Sequence, residues 1–179
     1  GLPISHDFIG RHGEWLRLGP TGQILAKTRL PNTGDTLQPA VIGLDEQNAL
    51  ALLRHAGPAP GAVRLTTTGN GGQRWQEAEA RPISNPNSAI ALLRLKSGRL
   101  LLAGNPADGR QAMLLWFSTD QGKTWQPSRT IEAAPDGGAE FANPALLLGR
   151  DGRIHLAYDW RRQGIKHAVF SEAWLDGGA

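Results

Sequence analysis

Arginine, tyrosine and amide side chains are the groups in this chain best suited to handling a polar ligand. Arg54 and Arg110 each stand at the edge of a strand-like apolar run, and the planar guanidinium fork of arginine binds a carboxylate in bidentate fashion. Tyr158 is the single tyrosine and also ends an apolar run. Other chemistries are excluded or poorly supported. There are no cysteines, so thiolate nucleophiles, thiolate metal sites and disulfides are absent. No Gly-x-Ser-x-Gly elbow or phosphate loop occurs. The five histidines show no His-x-x-x-His spacing, so neither a metal nor a cofactor is expected. Net charge is +3, but Lys and Arg are scattered and no basic stripe is interleaved with aromatics, which argues against nucleic acid. No apolar run approaches the length of a membrane span. The compartment stays open, with secretion or a periplasmic location compatible with the sequence.

The elements that must position these groups are short strands. The 179 residues are 40% hydrophobic, with 23 Gly and 12 Pro, a composition of many strands and turns. The best-formed turn is Ser118-Thr119-Asp120-Gln121-Gly122-Lys123-Thr124-Trp125. Its Ser and Asp oxygens can accept from loop amides, Gly122 allows positive φ, and Trp125 opens the next strand. A weaker copy stands at Thr68–Trp75, where Asn70, Gly72 and Trp75 lie fifty positions before Asp120, Gly122 and Trp125. A repeat of this length ending in a hairpin turn predicts an all-β chain of β-propeller blades, each of four antiparallel strands.

The pattern divides the chain into outer strands of a preceding blade (1–34), two blades (35–83 and 84–135), and a last blade lacking its closing strand (136–179). Strands are expected at Ile4–Ile9, Glu14–Leu18, Gln23–Thr28, Leu37–Leu44, Ala49–Arg54, Ala62–Thr68, Ser88–Leu95, Arg99–Ala103, Gln111–Phe117, Ala145–Leu148, Arg153–Tyr158 and Ile165–Phe170, with further strands after Trp75 and Trp125. About three blades and a partial one are too few to close a ring.

Blade topology puts the start of strand one, the end of strand two and the start of strand three on one rim. The turn between strands three and four lies on the opposite rim, so Ser118–Trp125 and its copy read as structural. The first rim collects Gln38, Arg54, His55, Asn85, Asn87, Asn105, Arg110, Tyr158, Asp159, Trp160, Arg161 and Arg162.

Ser118-x-Asp120-x-Gly122-x-Thr124-Trp125 resembles the Asp-box, or BNR repeat, of sialidases (neuraminidases). Residues 37–175 look like the C-terminal blades of a six-bladed, bacterial sialidase-like propeller. The resemblance implies an exo-glycosidase acting on an anionic terminal sugar. Arg54 and Arg110 resemble the second and third of three arginines that hold the substrate carboxylate, and Tyr158 resembles the tyrosine nucleophile. Gln38 stands where that tyrosine's glutamate base would sit, and an amide cannot take the phenol proton. Asn87, Asn105, Trp160 and Arg161 join as substrate-binding residues.

The resemblance implies that the first arginine and the acid/base aspartate belong to N-terminal blades, expected outside this chain. The expected partners are therefore an anionic sugar or glycan, together with the missing blades or a second copy covering the open blade faces. The alternative to a hydrolase fragment is a non-catalytic propeller that binds a glycan or another acidic ligand, or a pure interaction scaffold.

Overall fold

The computed structural model describes residues 1–8 and 10–177. Fourteen strands form four antiparallel sheets. The first sheet contains β1 (Leu2–His6), β2 (His12–Leu18) and β3 (Ile24–Arg29). The second contains β4 (Thr36–Gly43), β5 (Ala49–His55), β6 (Gly61–Thr68) and β7 (Glu79–Asn85). The third contains β8 (Ala91–Arg94), β9 (Leu100–Gly104), β10 (Ala112–Ser118) and β11 (Gln126–Ala133). The last contains β12 (Phe141–Leu148), β13 (Ile154–Trp160) and β14 (Gly164–Phe170). Each sheet is a meander in chain order, and β1, β4, β8 and β12 pack successively against one another. This is the blade arrangement expected from the repeat.

Most strands match the expected spans within a residue or two; Ile9, the end of the first expected strand, lies outside the described residues. Two differences have physical causes. The strand after Trp75 begins only at Glu79, because Gln76 and Ala78 donate backbone bonds to Thr67 and Pro31 before sheet pairing resumes. The chain also ends in a short helix, α1 (Glu172–Leu175), capped by the Ser171 hydroxyl, which accepts from the Trp174 amide. Trp174 packs on Phe170 and under the Arg129 guanidinium, and Arg99 binds Glu172 and Asp176. The helix thus ties the end of β14 to the third sheet.

The core lies between sheets. Leu30, Ala51, Leu53 and Trp75 fill the first junction, and Trp15 meets Trp75 edge-on at 5.5 Å. Leu50, Leu52, Val63, Leu65, Leu100, Leu102 and Trp125 fill the second. Met113, Leu115, Phe141, Ile154, Leu156 and Tyr158 fill the third. Each fully buried Leu or Ile contributes about 1.5–3 kcal/mol. Trp75 and Trp125 therefore act as wedges between neighbouring sheets, placed there by the two repeated turns.

Those turns share one hydrogen-bond network. Ser118 Oγ accepts from Gly122 N at 2.9 Å and donates to Asp120 Oδ1 at 2.8 Å, and Asp120 Oδ1 accepts from Thr124 N at 2.9 Å. In the copy, Thr68 Oγ1 accepts from Gly72 N at 3.2 Å and donates to Asn70 Oδ1 at 3.0 Å, and Asn70 Oδ1 accepts from Arg74 N at 2.9 Å. Asp120 has one further bond, from the Thr124 hydroxyl at 2.7 Å. That bond, with the others, holds its carboxyl down to about 2.

Candidate functional site

The rim opposite those turns is built by two bulged inner strands. At the start of β4, Gln38 takes φ +49° before Pro39, and pairing with β5 is interrupted between Leu37 and Ala40. At the start of β12, Asn143 takes φ +50° before Pro144, with the same interruption between Ala142 and Ala145. Proline cannot donate to the ladder, so the chain kinks and the preceding side chain swings toward the end of the next strand. Gln38 Oε1 accepts from Arg54 Nε at 2.7 Å; in the last sheet Asn143 Nδ2 donates to Asp159 Oδ2 at 2.6 Å.

Arg54 is the centre of the rim. Besides Gln38, its Nη1 donates to the His55 carbonyl at 3.1 Å and to Asn87 Oδ1. Arg110, in the loop between β9 and β10, donates from Nη2 to the Asn87 carbonyl at 3.1 Å. Asn87 thus bridges the two arginines, at φ +60°, in a turn closed by Asn85 and Ser88. Burial lowers the Arg54 pKa first, and the like charges of Arg110 and Arg11 lower it further, against the opposing charge of Asp7.

Arg11 was not singled out by the sequence. It lies in the loop between β1 and β2, donates to the Ala56 carbonyl and pairs with Asp7 at 3.3 Å. The available signal was topological, because this loop joins the first two of three strands in its sheet and the loop carrying Arg110 joins the second and third of four, the same place counted from the sheet's last strand.

The other expected site residues lie elsewhere. Asn105 is buried, and its amide donates to the Ala112 and Phe141 carbonyls at 2.7 and 2.8 Å, fastening β9 to the last sheet. Trp160 packs on the third junction and carries the Arg161 guanidinium 4.9 Å from its ring centroid, with Lys166 at 5.8 Å. Arg162 forms an ion pair with Glu140 at 2.7 Å.

Tyr158 departs most from expectation. It is 1% exposed within the core between the third and last sheets. Its hydroxyl donates to Glu132 Oε1 at 2.8 Å, and the Lys166 ammonium binds the same oxygen. Burial, then the hydrogen bond and negative charge of Glu132, raise the phenol pKa above its ordinary value. Burial works to raise the Glu132 pKa, but the bonds from Lys166 and Tyr158 outweigh it and keep the carboxylate ionised. Tyr158 and Gln38 therefore do not form a nucleophile–base pair: Gln38 orients Arg54, and Tyr158 has its own carboxylate. Glu132 escaped the sequence reading because its partner lies 26 residues away, across a sheet junction.

His6, His12 and Glu14 form a second polar cluster, with one ligand atom from each within 4.8 Å of the others. Their positions match no sequence spacing for metal ligands; the pairing of β1 with β2 brings them together.

A family pattern described as a BNR repeat-like domain matches residues 1–156. The chain belongs to this BNR repeat-like family. No curated protein matches it. Among solved structures it is similar to the NanB sialidase of Streptococcus pneumoniae (TM-score 0.70, 10% identity), covering 92% of this chain and 28% of that one. It is also similar to the GH93 alpha-L-arabinofuranosidase of Fusarium graminearum in complex with arabinobiose (TM-score 0.60, 18% identity, 76% and 45% covered). A protein of unknown function from Dyadobacter fermentans matches with TM-score 0.68 and 14% identity, covering 90% and 55%. The BNR repeat-like chain thus has the fold of β-propeller glycosidases and spans about half or less of these neighbours' lengths.

Proposed function

We propose that the Arg54–Arg110 rim binds the carboxylate of an anionic terminal sugar, as part of a sialidase-like exo-glycosidase propeller whose catalytic set is incomplete in this chain. The carrying observation is the bridging of both guanidiniums by Asn87. Gln38 and Asn87 engage Nε and Nη1 of Arg54, and among the described residues its Nη2 is left for an anion. Arg11 adds a third positive charge to the same field. Each charge-assisted bond to a carboxylate contributes about 1.5–3 kcal/mol. We read the turns at Ser118–Trp125 and Thr68–Trp75 as Asp-boxes that hold the blades and meet no substrate.

Titration of the chain with N-acetylneuraminic acid, its methyl ester and arabinobiose, followed by NMR, tests this reading. Binding of the acid alone, lost in Arg54→Ala and Arg110→Ala, is expected. Equal binding of the ester or preference for arabinobiose overturns the anionic specificity.

A second reading, a propeller that binds glycan without hydrolysing it, is favoured by the buried Tyr158 and the amide at Gln38. It is tested in a full-length protein: binding of N-acetylneuraminic acid without hydrolysis of a sialoside supports the binder, and hydrolysis overturns it.

The first and last sheets expose Leu2, Ile24, Leu25, Leu147 and Ile165. In this reading further blades or a second copy cover them, so the chain alone elutes as a dimer or aggregates; a monomer by light scattering contradicts it.

A further inference from the structure

We propose that His6, His12 and Glu14, which flank the loop carrying Arg11, form a binding site for a divalent transition-metal ion of zinc type. Strand geometry presents the donors on a rigid frame. His12 and Glu14 are two apart on β2 and so share a face, and His6 on β1 is the register partner of His12. The opposite face of β2 packs on the second sheet through Gly13 and Trp15.

The histidine tautomer is set by the backbone. His12 Nδ1 lies 2.7 Å from the Gly10 carbonyl, which can only accept, so Nδ1 carries the hydrogen. Its Nε2 then faces Glu14 Oε1, 3.4 Å away. A metal ion between these two atoms would be bonded by both. A carbonyl-anchored imidazole with its far nitrogen free is also how metal-binding histidines are oriented. Ligand atoms around a tetrahedral zinc stand about 3.3 Å apart, given bonds of about 2.0 Å, so the His12–Glu14 separation already fits.

His6 Nε2 donates to Glu14 Oε2 at 2.7 Å, and on giving up that hydrogen to Nδ1 or to solvent it supplies the third ligand. His12 and Glu14 are both buried. Lys27 shows that the pocket accepts positive charge: its ammonium sits 2.8 Å from Glu14 Oε2 and 3.5 Å from His6 Nε2. It is half-exposed on a flexible stem and free to leave when a metal enters. The stacked pair His155–His167, on the last sheet, serves as an internal control.

The test is titration of the chain with Zn²⁺ by calorimetry and with Co²⁺ by visible absorption. The expected result is one site with tetrahedral cobalt bands. His12→Ala and Glu14→Gln lower affinity by at least about 10- to 100-fold. Lys27→Met, which removes the competing cation and none of the ligands, raises affinity, and His155→Ala leaves it unchanged. The proposal is overturned if neither the wild type nor Lys27→Met binds either metal, or if binding survives His12→Ala and Glu14→Gln but not His155→Ala.

Discussion

Tyr158 in the last sheet occupies the place that Leu53 holds in the second. Each precedes by one residue the strand-end side chain that bonds to the bulged amide of the inner strand, Asp159 to Asn143 and Arg54 to Gln38. Both point into a sheet junction, at 1% and 0% exposure. The phenol differs from leucine chiefly in reaching Glu132, so its first role is packing. Tyr158→Phe keeps the ring and removes the hydroxyl, and Lys166 still pairs with the carboxylate. The expected loss is about 1–2 kcal/mol, seen as a lower denaturant midpoint, with anionic sugar binding unchanged. Loss of binding without loss of stability would return Tyr158 to the ligand site.

Asn87 holds Arg54 with its side chain and Arg110 with its backbone carbonyl. Asn87→Gly tolerates the positive φ and keeps the carbonyl while deleting the contact to Arg54. Affinity for N-acetylneuraminic acid should fall by about tenfold, as expected for one lost bond to a charged group, with little change in melting temperature. NMR titration of wild type and variant checks this.

Gly72 has φ +78°, and a Cβ there would stand 2.3 Å from the Trp15 indole nitrogen. Gly98, at φ +88°, has nothing within 4 Å of such a Cβ. Alanine at either costs about 1–2 kcal/mol for the left-handed backbone. Gly72→Ala adds the clash at the Trp15–Trp75 junction and should lower Tm by several degrees more than Gly98→Ala, measured by scanning calorimetry.

The Asp120 carboxyl is held to about 2 by the Thr124 hydroxyl and amide, opposed by slight burial and helped by Ser118. A depressed folded-state pKa contributes stability that is present above the unfolded value of 3.8 and is lost as pH falls toward 2. Asp120→Asn should flatten that part of the stability–pH curve. The fold should survive, because Asn70 makes the same Oδ1 bonds in the copy. Thermal melts of both proteins from pH 5 to about pH 2 report the difference.

Arg99 bonds to Glu172 at 2.8 Å and to Asp176 at 2.7 Å, which raises its pKa and anchors α1 to the third sheet. Arg99→Ala should release the helix, exposing Trp174 and shifting its fluorescence to the red, while the rim keeps its affinity. An unshifted spectrum would show that the Phe170 and Arg129 contacts suffice.

Local spacing determined much of this protein. The repeated turns, the alternating apolar runs and the Gly and Pro breaks were enough for most of the strands and for the all-β, blade-type fold. These features depend on side-chain period and on hydrogen bonds within a few residues of one another, which the sequence displays directly. The final helix was not legible, since four residues show no period and their anchor, Arg99, is more than 70 residues away. Tertiary structure alone decided the rest. The strand pleat turns Tyr158 inward to Glu132 while Asp159 faces out, strand register joins His6 to His12 and Glu14, and sheet packing brings Arg11 toward Arg54. Each relationship links segments whose separation along the chain carries no pattern, so only the packed sheets could bring those groups together.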